Sequence, residues 1–175
     1  MLDRIIGVFK LDANTFEEIE ADQSATGQAA LVVLVVALVG AVGSGIAATI
    51  TDTSFFSSFI SSLVTALLGW LVWSAVTYFV GTALFGGQAD LGEMLRVIGF
   101  AYAPQILGII PCIGWLIGVI WTLAAGFIAV RQGLDLDNTK AALTIGIGLV
   151  AYIIIFVIIG AIFGTGAAVL SSLTG

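Results

Sequence analysis

Gln105 is the only carboxamide in the uncharged stretch from Val97 to Val130, and it directly follows Pro104. Within a helix, Pro104 has no N–H to give the Phe100 carbonyl, and its ring crowds that group. A kink and a freed acceptor are expected there. Ser74 and Thr77 share one helical face of an earlier apolar segment with Gly81. Ser74, Thr77, Phe100, Pro104 and Gln105 thus form a candidate kink and polar cluster. Its chemistry is hydrogen bonding: either the broken helix satisfies its own backbone, or these groups line a small polar path for an uncharged solute. The first role is the simpler.

Other chemistries lack their residues. The chain has no histidine and a single cysteine, Cys112, so no zinc, iron–sulfur or haem site and no internal disulfide is expected. The serines have no histidine to activate them, and no acid or base falls in the predicted middle of a span. Ion-coupled transport and membrane-embedded catalysis draw on such groups. The acidic cluster Glu17, Glu18, Glu20 and Asp22, and the pair Asp135 and Asp137, read as solvated helix faces and caps. No catalytic residue, metal ligand or cofactor is therefore assigned. The net charge of −6 excludes a nucleic-acid partner.

The elements that hold these residues are apolar helices. Of the 175 residues, 60% are hydrophobic and 9% charged, and the mean hydropathy is +1.20, which places the lipid bilayer around the chain. Charges are absent from Gln23 to Thr51, Thr53 to Ala89, Val97 to Val130 and Ala141 to Gly175. A crossing needs about 20 apolar residues. The third gap is too long for one helix and is broken by Pro104 and Pro111, so it holds two crossings. The fold expected is an all-α polytopic membrane bundle of five transmembrane helices, about 29–50, 56–83, 92–109, 113–131 and 140–166, following a cytoplasmic tail over 1–28.

In the tail, Leu2, Ile5, Ile6 and Phe9 share one helical face. That stripe suits a helix lying in the headgroup region and equally one packed on the bundle. Thr15 to Glu18 reads as a capping box opening a second short helix, and Asp90 with Glu93 reads as another. The acidic tail before the first span lacks the basic leader of a cleaved signal, so retention is expected. The five basic residues, Arg4, Lys10, Arg96, Arg131 and Lys140, all fall on one side of a five-span layout. The positive-inside rule then puts the N-terminus in the cytoplasm and the C-terminus outside. Small residues at four-residue steps, Gly114, Gly118, Thr122 and Gly126 in one span and Gly160 and Gly164 in the last, read as helix-packing seams. Each serves a neighbour in the bundle, or a homo-oligomer or membrane-protein partner.

Three segments resemble the Yip1 family in its short bacterial or archaeal form. They are Thr15-Phe-Glu-Glu-Ile-Glu-Ala-Asp22; Gly86-Gly with Leu95-Arg-Val-Ile-Gly-Phe-Ala-Tyr-Ala-Pro104; and Ala129-Val-Arg-Gln-Gly-Leu-Asp-Leu-Asp-Asn-Thr-Lys140. The resemblance implies a five-span, N-in membrane protein, here of a prokaryotic cell membrane. Eukaryotic members of the family act in vesicle trafficking, bind Rab GTPases and shape membranes. Ala83-Leu-Phe85 stands where those members carry Asp-Leu-Tyr, so Rab binding is not carried over. The function expected is non-catalytic: organising membrane, or recruiting a partner through residues 1–28, the Gly86 to Glu93 loop and the Arg131 to Lys140 loop. The alternative is a small-solute permease or channel with its polar path at the Pro104 kink.

Overall fold

The computed structural model describes residues 1–110 and 113–174, with side chains beyond Ile159 described only at Ala161. The described residues are helical nearly throughout, as the sequence predicts. Two short helices, α1 (Leu2–Phe9) and α2 (Ala13–Ala21), precede α3 (Ala25–Ile50) and α4 (Phe55–Phe85). Next come α5 (Leu91–Ala101), a 3-10 segment (Ala103–Ile109), α6 (Gly114–Gly133) and α7 (Asn138–Thr174).

The boundaries have local causes. Asp12 accepts from the Asn14 N–H to open α2, one turn ahead of the expected Thr15 cap. The Asp90 carboxylate accepts from the Glu93 N–H at 2.7 Å, and the Glu93 carboxylate accepts from the Asp90 N–H at 2.6 Å. This reciprocal box starts α5 as predicted. Gly86 ends α4 at φ 70°, a left-handed position that glycine takes without strain. Asp52 turns the chain between α3 and α4 at φ 55°. Across that hairpin the Ser44 hydroxyl donates to Ser62 at 3.2 Å, and the Phe55 ring fills the space beside Gly45.

Four helices are long and apolar enough to cross a membrane: α3, α4, α6 and α7 from Asn138 to Ile159. The third expected span, 92–109, is not a helix of that kind, which corrects the five-helix count. It divides into an α-helix of 11 residues and a 3-10 segment of 7. Pro104 is the physical reason. It cannot donate to Phe100, so the α-helix stops and the backbone continues in tighter 3-10 winding, where the Gln105 N–H donates to the Tyr102 carbonyl at 3.0 Å.

This broken element is the centre of the molecule. Met94, Val97 and Phe100 are fully buried, enclosed by α3, α4 and α6, with α2 on the remaining side. It runs antiparallel to α6, whose glycines admit it. Gly133 faces Met94 and Val97, Gly118 faces the Pro104 carbonyl, and Gly114 faces the Leu107 carbonyl. A methyl group at Gly118 would stand 3.2 Å from the Pro104 oxygen. Gly160 and Gly164 lie outside the described side chains. Val8, Phe16 and Ile19 join the same buried cluster as Val97 and Phe100, so the tail shares the core of the bundle.

Candidate functional site

Every charged residue except Asp52 belongs to the tail, to the loops around Gly86–Asp90 and Gly133–Asp137, or to the adjoining helix ends. The structure gathers these segments at one end. The Gln88 N–H donates to the Leu134 carbonyl at 3.0 Å, joining the two loops. Gln132 donates to the Glu17 carboxylate at 2.6 Å, joining α6 to α2. Arg4 holds Glu18 at 2.9 Å and Asp22 at 2.6 Å. Arg96 is only 4% exposed and gives two N–H groups to the Glu20 carbonyl, at 2.6 and 3.1 Å.

Two carboxyls at this end are displaced from their ordinary range. Partial burial pushes Glu20 up to about 7, helped by the negative charges of Asp135, Glu93 and Glu17, with Arg96 acting the other way. The Ser24 hydroxyl, then Arg4, hold Asp22 down at about 2.

The apolar stripe of α1 is split between bundle and surroundings. Val8 is buried and Ile5 and Phe9 pack against the core, while the Trp121 indole donates to the Phe9 carbonyl at 2.8 Å. Leu2 and Ile6 remain 70% and 51% exposed. The stripe is thus packed on the bundle along one side of the helix and left exposed along the other.

At the break between α5 and the 3-10 segment a cavity of about 270 Å³ lies among α4, α5, α6 and α7. Gln105, Thr122 and Gly126 of the predicted clusters line it, with Trp73, Tyr102 and Tyr152. Ser74 and Thr77 do not. Both are buried, and the Thr77 hydroxyl is spent on its own helix, donating within 2.8 Å of the Trp73 carbonyl and 3.2 Å of the Ser74 carbonyl. The Ser74 hydroxyl has no partner. Neither residue satisfies the backbone at Phe100, whose ring is fully buried, and Pro104 is buried too, so the cluster does not assemble as one group. Gly126 departs from the packing role as well: a methyl group there would meet nothing within 4 Å. The small face of α6 packs at Gly114 and Gly118 and opens into the cavity farther along.

Several residues that matter here carry only a weak sequence signal. Trp70 donates to the Leu95 carbonyl at 3.1 Å and ties α4 to α5. Trp73, Tyr102 and Tyr152 line the cavity. An aromatic with a polar tip inside an apolar helix is the clue, since such tips seek partners when buried. Among the described residues no group of histidine, cysteine, aspartate or glutamate side chains is arranged to hold a metal ion.

Neither a curated protein nor a solved structure matches the chain significantly. The Yip1 domain, by contrast, matches residues 6–162, which takes in the tail from α1, the broken element and both polar loops. A match over nine-tenths of the chain, together with an all-helical membrane bundle, places this protein in the Yip1 domain family.

Proposed function

We propose that the protein is a non-catalytic membrane protein that recruits a basic partner segment, or organises membrane, through the polar end built by α1, α2 and the two loops. The observation that carries this reading is the confinement of charge. All acids but Asp52 meet at that end, where they outnumber the basic residues. Exposed Asp12, Glu17 and Glu18 face outward from a tail that Arg96, Trp121 and Gln132 fix in place. A rigid acidic surface of this kind selects a cationic partner and speeds encounter with it.

The end is assigned to the cytoplasm by its five basic residues. The broken element supplies a fifth crossing in this reading. Its α-helical and 3-10 parts together rise about 30 Å, the thickness of the hydrocarbon layer, and neighbouring helices supply the burial that lipid-exposed irregular backbone would lack.

The test places a photo-crosslinking residue at exposed Asn14 or Gln23, and at Thr53 on the opposite end, in the native membrane. A defined protein adduct from the first two sites and none from Thr53 supports recruitment. Lipid adducts alone at all three sites sink it, and enzymatic turnover by the purified protein overturns the non-catalytic reading. The permease alternative predicts that a cysteine introduced at Gln105 in a Cys112→Ser background reacts with a charged, impermeant maleimide. No reaction is expected.

A further inference from the structure

Trp73, Tyr102, Gln105, Thr122 and Tyr152 line one cavity of about 270 Å³, and none of their side chains makes a hydrogen bond among the described residues. The Thr122 hydroxyl oxygen is fully buried without a partner. A buried hydroxyl without a partner is costly inside a membrane, where no water stands in, while Trp73, Tyr102 and Tyr152 are half-buried and Gln105 is exposed. No charged residue lines the cavity. A phosphate or ammonium headgroup would be desolvated there with nothing to neutralise it.

We propose that this cavity binds the carbonyl-bearing part of an uncharged lipid, whose chains leave into the bilayer past Leu123 of α6 and Leu149 of α7. All five groups can donate a hydrogen bond, and the Trp73 indole can only donate, so an acceptor-rich ligand satisfies them best. At about 30 Å³ per small heavy group the cavity holds roughly nine non-hydrogen atoms. That fits a glycerol ester core or a quinone ring and excludes a whole lipid. The rim residues Leu123 and Leu149 are both exposed, an apolar exit suited to acyl or isoprenoid chains. Ester and quinone carbonyls share this chemistry. The proposal is independent of the recruitment reading, since the cavity and the acidic end use different residues.

The full chain in lipid nanodiscs would be photolabelled with a bifunctional dioleoylglycerol. Unlabelled dioleoylglycerol, a long-chain plastoquinone, dioleoylphosphatidylglycerol and a hydrocarbon of equal length would serve as competitors. Labelled peptides from 98–105 or 122–127 are expected. Competition by the first competitor alone identifies a glycerol ester, and by the second alone a quinone. Gly126→Phe fills the cavity from a position where an added Cβ meets nothing within 4 Å. It is expected to lower labelling at least tenfold while thermal unfolding stays as in the wild type. Gln105→Leu is expected to weaken competition about tenfold. Labelling unchanged in Gly126→Phe, confined to other peptides, or absent overturns the proposal. Equal competition by the anionic lipid does so too, because charge exclusion would then fail, as does equal competition by the hydrocarbon, because carbonyl recognition would then fail.

Discussion

Glu20 sits where a carboxyl is unwelcome, half-buried on α2 and near Glu17, Glu93 and Asp135. Its pKa rises from 4.5 to about 7 on folding, so between those values the folded chain binds more protons than the unfolded one. Its contribution to tail docking is therefore greatest below pH 4.5, falls as pH rises toward 7 and levels off above. Asp22 has the opposite sign. Its pKa falls from 3.8 to about 2, so the stability it brings is present above 3.8 and lost on acidification toward 2. Glu20→Gln is expected to flatten the slope between pH 4.5 and 7, read as hydrogen-exchange protection of residues 13–21. An unchanged slope would assign the titration to another group. Arg96 belongs to the same scale. Arg96→Met leaves the part-buried Glu20 carbonyl without its Arg96 partner, and a loss of about 1–3 kcal/mol is expected in detergent-titration unfolding. Arg96→Lys, which cannot reproduce the forked pair of bonds, falls between.

At the scale of elements, α5 is held by close approach more than by its own length. A methyl group at Gly99 would lie 2.9 Å from the Ala29 side chain and 3.3 Å from the Trp70 indole nitrogen. Gly99→Leu is expected to separate α5 from α3 and α4, costing about 1–3 kcal/mol or more. Gly126→Leu should cost far less, because the same addition enters a void. Comparing their unfolding midpoints checks the distinction. Much of this element was legible in the chain. Asp90 and Glu93 announce its start, and Pro104 announces its break. What the residues do not disclose is how the break resolves, since proline permits a kink or a change of helix type and the surrounding packing decides. The four-residue spacing on α6 likewise marks small residues without saying which of them meets backbone and which meets a void. The acceptor of Arg96 was equally hidden, being a carbonyl 76 residues away.

For the whole molecule, charge pattern and hydropathy together foretold membrane spans and one polar end, because both depend on solvent and little on contacts. The tail as a wall of the core was one of two expectations the sequence left open, because its apolar stripe fits lipid and protein alike. Topology remains the sharpest test at this scale. In a Cys112→Ser background, Asp52→Cys is expected to react with impermeant maleimide in intact cells, and Asn14→Cys only after permeabilisation. The reverse pattern would invert the molecule and move the acidic end to the outside.

The division of residues 91–109 into two short pieces bears on how the protein is made. A translocation channel sorts segments by their own affinity for lipid, and this one carries Glu93 and Arg96 within its first two turns. Alone it should be released toward water rather than retained. Once α6 emerges from the ribosome, a glycine-lined partner exists, and the pair enters together. A reporter glycosylation site placed after Ile110 should therefore show poor integration in chains ending there and efficient integration once the chain reaches Gly133. Assembly of the bundle would then be a condition of insertion, and not its sequel.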